Sequence, residues 1–125
     1  MEENNKLRQQ VKEAVTTFAR DFMGVNPKSV VADIHSSSVL ATLQGILSPV
    51  ERDYATGPES RELIEKCYNN VFDVSKKAFE AALEEILGKT ILSSMLRVNP
   101  ESGDGVMVFN LAEGTSENSL GNQAG

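Results

Sequence analysis

The chain has 125 residues, 40% of them apolar, which suffices for one ordinary domain around one core. Twelve Lys and Arg stand against eighteen Asp and Glu, for a net charge of −6, and there are five Phe, two Tyr and no Trp. Nucleic acid and anionic lipid are therefore excluded as partners, because both are held mainly by clustered basic residues and stacked bases also need aromatic platforms. Cys67 is the only cysteine, so no intrachain disulfide can form. The first ten residues, MEENNKLRQQ, are polar, and no run approaches the ~18 apolar residues that suggest a membrane span. A cytoplasmic protein with no direct membrane insertion is the expectation.

The first element is a helix over about residues 4–23. Leu7, Val11, Ala14, Val15, Phe18, Ala19 and Phe22 recur at helical spacing, Gly24 offers a stop, and Pro27 lies beyond it. Residues 29–47 predict a β-hairpin. Val30, Ala32 and Ile34 alternate with Val31, Asp33 and His35, then Val39, Ala41 and Leu43 alternate with Leu40, Thr42 and Gln44. Ser36, Ser37 and Ser38 form the polar turn between them.

The segment Leu43–Glu51, LQGILSPVE, is a strand-to-helix junction. Ser48 is placed to cap, Pro49 suits the first helical position, and Glu51 falls third, which makes a capping box. A short helical turn over 49–55 follows. The chain breaks at Thr56-Gly57-Pro58 and restarts as a long helix over 59–87 that ends at Gly88. Leu63, Ile64, Cys67, Tyr68, Val71, Ser75, Ala78, Phe79, Ala82 and Ile86 are read as its inward side. Glu80, Glu84 and Glu85, with Lys76 and Lys77, are read as its solvated face.

A third strand over 90–98 and a fourth over 106–111 flank the turn-rich loop 99–105, which is taken as a flexible hairpin connection. The fourth strand is nearly continuously apolar, which suggests burial on both faces. Residues 113–125, rich in Gly, Ser, Asn and Glu, predict a disordered tail. The fold class is thus α+β in the order α-β-β-α-β-β, one domain over 1–112. The sheet is four-stranded and antiparallel, with the long helix on one face. One helix cannot cover both faces, so the amino-terminal helix or a second copy of the chain must cover the other.

No reactive cluster emerges. Asp33 and His35 share a strand face, but a zinc site wants three or four ligands and no further His exists. Cys67 lies in the inward stripe and is read as a small core residue rather than a reactive thiol. The three serines beside His35 are turn formers, with no acid assigned to orient the histidine. Catalytic, cofactor-binding and metal residues are therefore none, and an enzyme is not expected.

Four segments taken together resemble a known family. They are Pro27-Lys28-Ser29-Val30, LQGILSPVE, Ser60-Arg61-Glu62-Leu63 and Val106-Met107-Val108-Phe109. In order and spacing they resemble the bacterial Na+-translocating, MpsC-type domain of unknown function, over about residues 7–112. Ser48 stands where that pattern more often has Thr, a conservative change for a cap. The resemblance implies a link to a membrane-potential or bicarbonate/Na+ transport system, and it transfers no catalytic residue. The function expected is a soluble, non-catalytic accessory or regulatory interaction module. A homodimer is expected, with a membrane transporter or a signalling protein as partner. The alternative is a small-ligand sensor with a pocket between the long helix and the sheet, beside Ala78, Ala81 and Ala82.

Overall fold

A computed structural model describes residues 2–112, so the tail expected over 113–125 lies outside the described residues. The elements run α1 (Glu2–Phe22), β1 (Ser29–Ile34), β2 (Ser38–Gln44), α2 (Pro49–Tyr54), α3 (Pro58–Leu87), β3 (Ile91–Asn99) and β4 (Asp104–Leu111). The four strands make one antiparallel sheet in the order β1-β2-β4-β3. The two hairpins therefore join through β2 and β4, the second strand of each. The α+β class and the expected order of strands and main helices are those of the structure.

Register assigns the paired strand residues to faces, with one irregularity in β3 at Leu92. Val30, Leu43, Gly105 and Val98 are aligned across the sheet, as are Ala32, Ala41, Met107 and Leu96, and then Ile34, Val39, Phe109 and Ser94. These rows are the core side, and most of their members are buried. Gly105 sits where a Cβ would lie 2.8 Å from Ile46 Cδ1, so its lack of a side chain lets the segment after β2 close over the sheet.

Both long helices lie on this one face, α1 against β1 and α3 against β3. Phe18 of α1 stacks on Phe79 of α3 with centroids 4.1 Å apart, and Phe79 meets Phe109 of β4 edge-on at 5.4 Å. The amino-terminal helix thus adds to the cover that α3 provides and leaves the opposite face of the sheet open. Burial of β4 on both faces is corrected accordingly. Met107, Phe109 and Leu111 are fully covered, while Val106 and Val108 are only half-buried.

The inward side of α3 also differs from the expectation. Ile64, Tyr68, Phe72, Phe79 and Leu83 are buried. Leu63, Cys67, Val71, Ala78 and Ala82 are exposed, so Cys67 is a surface thiol and not a core residue. The helix is turned so that Phe72 and Leu83 enter the core, and the arc beginning at Leu63 faces outward.

Candidate interaction surfaces

The junction after β2 forms as its sequence dictates. Strand β2 stops at Gly45, whose φ of 68° is the left-handed region that glycine tolerates. Its N–H donates to Asp104 Oδ1 at 2.8 Å, and the N–H groups of Ile46 and Leu47 donate to the Gly103 carbonyl. The loop between β3 and β4, expected to be a flexible connection, is instead a docking point for this junction. Ser48 then caps α2. Its Oγ accepts from Glu51 N at 3.2 Å, and Glu51 Oε1 accepts from Ser48 N at 2.8 Å. The Tyr68 hydroxyl, on buried α3 surface, donates to the same Glu51 carboxylate at 3.1 Å. Burial first, and the neighbouring Glu51 charge second, push the Tyr68 phenol well above its ordinary value. It stays neutral and works as a hydrogen-bond donor that staples α2 to α3.

An open cleft of about 880 Å³ lies beside this junction, at the end of the sheet. Lys28, Arg52 and Arg61 line it together with Glu51, Asp53 and Glu101. Arg52 donates to the Glu101 carbonyl at 3.1 Å, and Arg61 approaches the Glu101 carboxylate at 3.8 Å. The pocket expected between α3 and the sheet is replaced by one between the helices. Ala78 and Ala82 border an apolar groove between α1 and α3, with Phe18, Phe22 and Ile86, and no strand residue lines it.

The polar residues singled out by the sequence do not converge. Asp33 is exposed on the open face of the sheet, His35 is exposed in the turn after β1, and Cys67 is exposed on α3. Among the described residues no group of three or more His, Cys, Asp or Glu is arranged to hold a metal ion. The serine turn acts through its backbone: the Ser36 carbonyl accepts from Lys89 Nζ at 2.9 Å and the Ser37 carbonyl from Leu111 N. Two of the glutamates assigned to the solvated face of α3 turn toward the sheet. Glu84 Oε2 accepts from Ile91 N at 2.8 Å, and the Glu80 carboxylate accepts from the Ser94 hydroxyl.

Besides the groove between α1 and α3, two apolar surfaces among the described residues are in contact with solvent. The first is the outer arc of α3, where Leu63 is 50% and Val74 85% exposed, with Val71 between them and Val50 and Tyr54 exposed on α2. The second is the open face of the sheet. Val31, Thr42, Val106 and Arg97 form one row there, and Asp33, Leu40, Val108 and Met95 form the next. Periodicity shows that apolar residues recur in adjacent pairs along α3, more than one sheet contact can bury, and does not show which part of that arc stays outside.

No described helix is long and apolar enough to cross a membrane. No solved structure matches the chain. The uncharacterized protein YbcI of Bacillus subtilis (strain 168) is 22% identical over 112 residues, 90% of each chain. A family model described as the Na+-translocating membrane potential-generating system (MpsC) matches residues 3–113. With nearly all of its length covered by that match, and with the motifs in place on the junction, the start of α3 and β4, the chain belongs to the MpsC family.

Proposed function

We propose that the protein is a non-catalytic accessory or regulatory module of a Na+-translocating, membrane-potential-generating system, acting by contact with a protein component of that system. The description of the family supplies the system. The observation that carries the mode of action is the outer arc of α3. Leu63, Val71 and Val74 stay in water although α3 already buries Ile64, Tyr68, Phe72, Phe79 and Leu83 in the core. Contiguous exposed apolar surface of this kind marks interaction sites on soluble domains. The link to bicarbonate-coupled transport rests on resemblance and belongs to the same proposal.

The test is physiological. Removing the protein from its host should lower the membrane potential read by a voltage-sensitive dye and slow Na+ efflux. The wild-type chain should restore both, and Val74→Glu, which keeps the core intact, should not. Unchanged potential and Na+ flux on removal would overturn the proposal.

The cleft beside α2 favours a second reading, a small-ligand sensor. Lys28, Arg52 and Arg61 are the groups that would meet a small anion such as bicarbonate, and Glu51, Asp53 and Glu101 in the same lining match them charge for charge, so the cleft suits a small polar ligand with both kinds of partner. A ligand at about 100 times its Kd stabilises the fold by about 2.7 kcal/mol. Thermal melts with bicarbonate, Na+ and small carboxylates that show no upward shift would remove this reading.

A further inference from the structure

The open face of the sheet has a charge pattern that matches itself. Its two central rows run from edge to edge of the sheet. One ends in Val31 on β1 and Arg97 on β3, the other in Asp33 on β1 and Met95 on β3. Between the ends lie Thr42, Val106, Leu40 and Val108. The middle is therefore apolar, with one acid at the β1 edge and one base at the β3 edge. Val31 is 49% and Met95 41% exposed. Asp33 and Arg97 are exposed, and among the described residues neither takes part in an ion pair.

We infer that this face is the contact between two copies of the chain, related by a two-fold axis parallel to the strands. Such an axis turns one sheet over onto the other and places β1 of each copy over β3 of its partner. Strand directions stay aligned, as in face-to-face sheet packing. Asp33 of one copy then lies over Met95 of the other, one row from Arg97. Rows on one face are about 7 Å apart along a strand, a gap that an arginine side chain closes. The contact is isologous, so the Asp33–Arg97 pair forms twice. Leu40 lies over Val108, and Thr42 over Val106.

The other aligned arrangement, with the axis across the strands, sets β1 over β1 and β3 over β3. It brings Asp33 toward Asp33 and Arg97 toward Arg97, and like charges facing each other oppose association. Charge thus selects one of the two geometries. Size sets the strength. Four strands spaced about 4.8 Å apart and about six residues long give a flat face of roughly 400 Å². Counted on both copies that is about 800 Å², below the size of stable specific interfaces and in the weak, transient class, so the dimer is expected to exchange, with a Kd in the tens of micromolar. This contact is separate from the outer arc of α3 and does not depend on the function proposed there.

Sedimentation equilibrium on the whole chain tests the inference. Wild-type protein should be mostly dimeric at about 100 µM, above the expected Kd. Arg97→Asp and Asp33→Arg should each weaken self-association at least tenfold, because each sets two like-charged pairs in the contact. Mixed together, the two weakened variants should recover a dimer. One copy then carries Arg at both positions and the other Asp at both, and every pair across the axis is attractive. Far-ultraviolet circular dichroism and a cooperative melt establish that each variant is folded. A wild-type chain that stays monomeric overturns the inference. So does a mixture that fails to associate, or a dimer abolished by Val74→Glu and untouched by the sheet variants.

Discussion

At the scale of single residues, the fold turns on Ser48, Glu51 and Tyr68. Ser48 and Glu51 satisfy each other's backbone N–H at the start of α2, and Glu51 also receives the Tyr68 hydroxyl. Ser48→Ala removes one arm of the box and should cost about 1 kcal/mol in urea unfolding, with partner binding retained. Glu51→Ala removes the other arm and also leaves the buried Tyr68 hydroxyl with only the long bond to the Ile46 carbonyl at 3.5 Å, so it should cost more, about 2 kcal/mol. Tyr68 predicts a pH effect with a definite sign. Its pKa is raised in the folded state by burial and by the Glu51 charge. Stability from this group is therefore complete below about pH 10, the ordinary tyrosine value, and falls as pH rises above it, when the unfolded chain releases the proton and the folded chain holds it. Urea midpoints above pH 10 should drop more steeply for the wild type than for Tyr68→Phe. Parallel slopes would show that the phenol ionises as easily in the fold as outside it.

At the scale of elements, the local signals were legible and the tertiary choice was not. Ser48, Pro49, Glu51 and Gly88 act within one helical turn of themselves, so the sequence places the ends of α2 and α3 closely. The face that α3 buries is a different kind of question. Apolar residues occur in adjacent pairs at 63/64, 67/68, 71/72, 78/79, 82/83 and 86/87, an arc wider than the contact with the sheet. Phe18 and Phe109, both distant in sequence, decide which part of that arc enters the core. The structure therefore predicts a contrast between neighbours. Phe72→Ala should cost about 3–5 kcal/mol by leaving a cavity. Val74→Ala, two residues on, should lie within about 0.5 kcal/mol of wild type. In the native monomer, Cys67 should react with one equivalent of a small alkylating reagent without denaturant. A thiol protected until unfolding would return it to the core, where sequence periodicity put it.

At the scale of the whole molecule, the imbalance between sheet and helices was legible, and its resolution was not. The alternation in β1, β2 and β4 shows one apolar face and a second that is only partly polar, with Val31, Leu40, Val106 and Val108 among Asp33, His35, Thr42 and Gln44, and there is too little helix for both. Where α1 goes depends on its single apolar stripe finding the nearest matching surface, the side already occupied by α3 and Phe79. Once α1 joins α3, the second face has no cover within the described residues. This couples stability to concentration. If a second copy covers the face, the folded state gains free energy by mass action, about 1–2 kcal/mol at total concentrations roughly 100 times Kd, because the partner is the chain itself and free copies are depleted. For a domain of this size that corresponds to a rise in Tm of several degrees. Melts of the wild-type chain from about 2 µM to about 500 µM, a range that brackets a Kd in the tens of micromolar, should therefore shift upward with concentration. Arg97→Asp should melt at one temperature throughout, close to the dilute wild-type value. The comparison separates the two contributions: core packing sets the concentration-independent Tm, and the open face sets the slope. A wild-type Tm that stays flat across the range would mean that the face contributes nothing to the stability of the free protein, and that Val31, Val106, Val108 and Met95 remain in water.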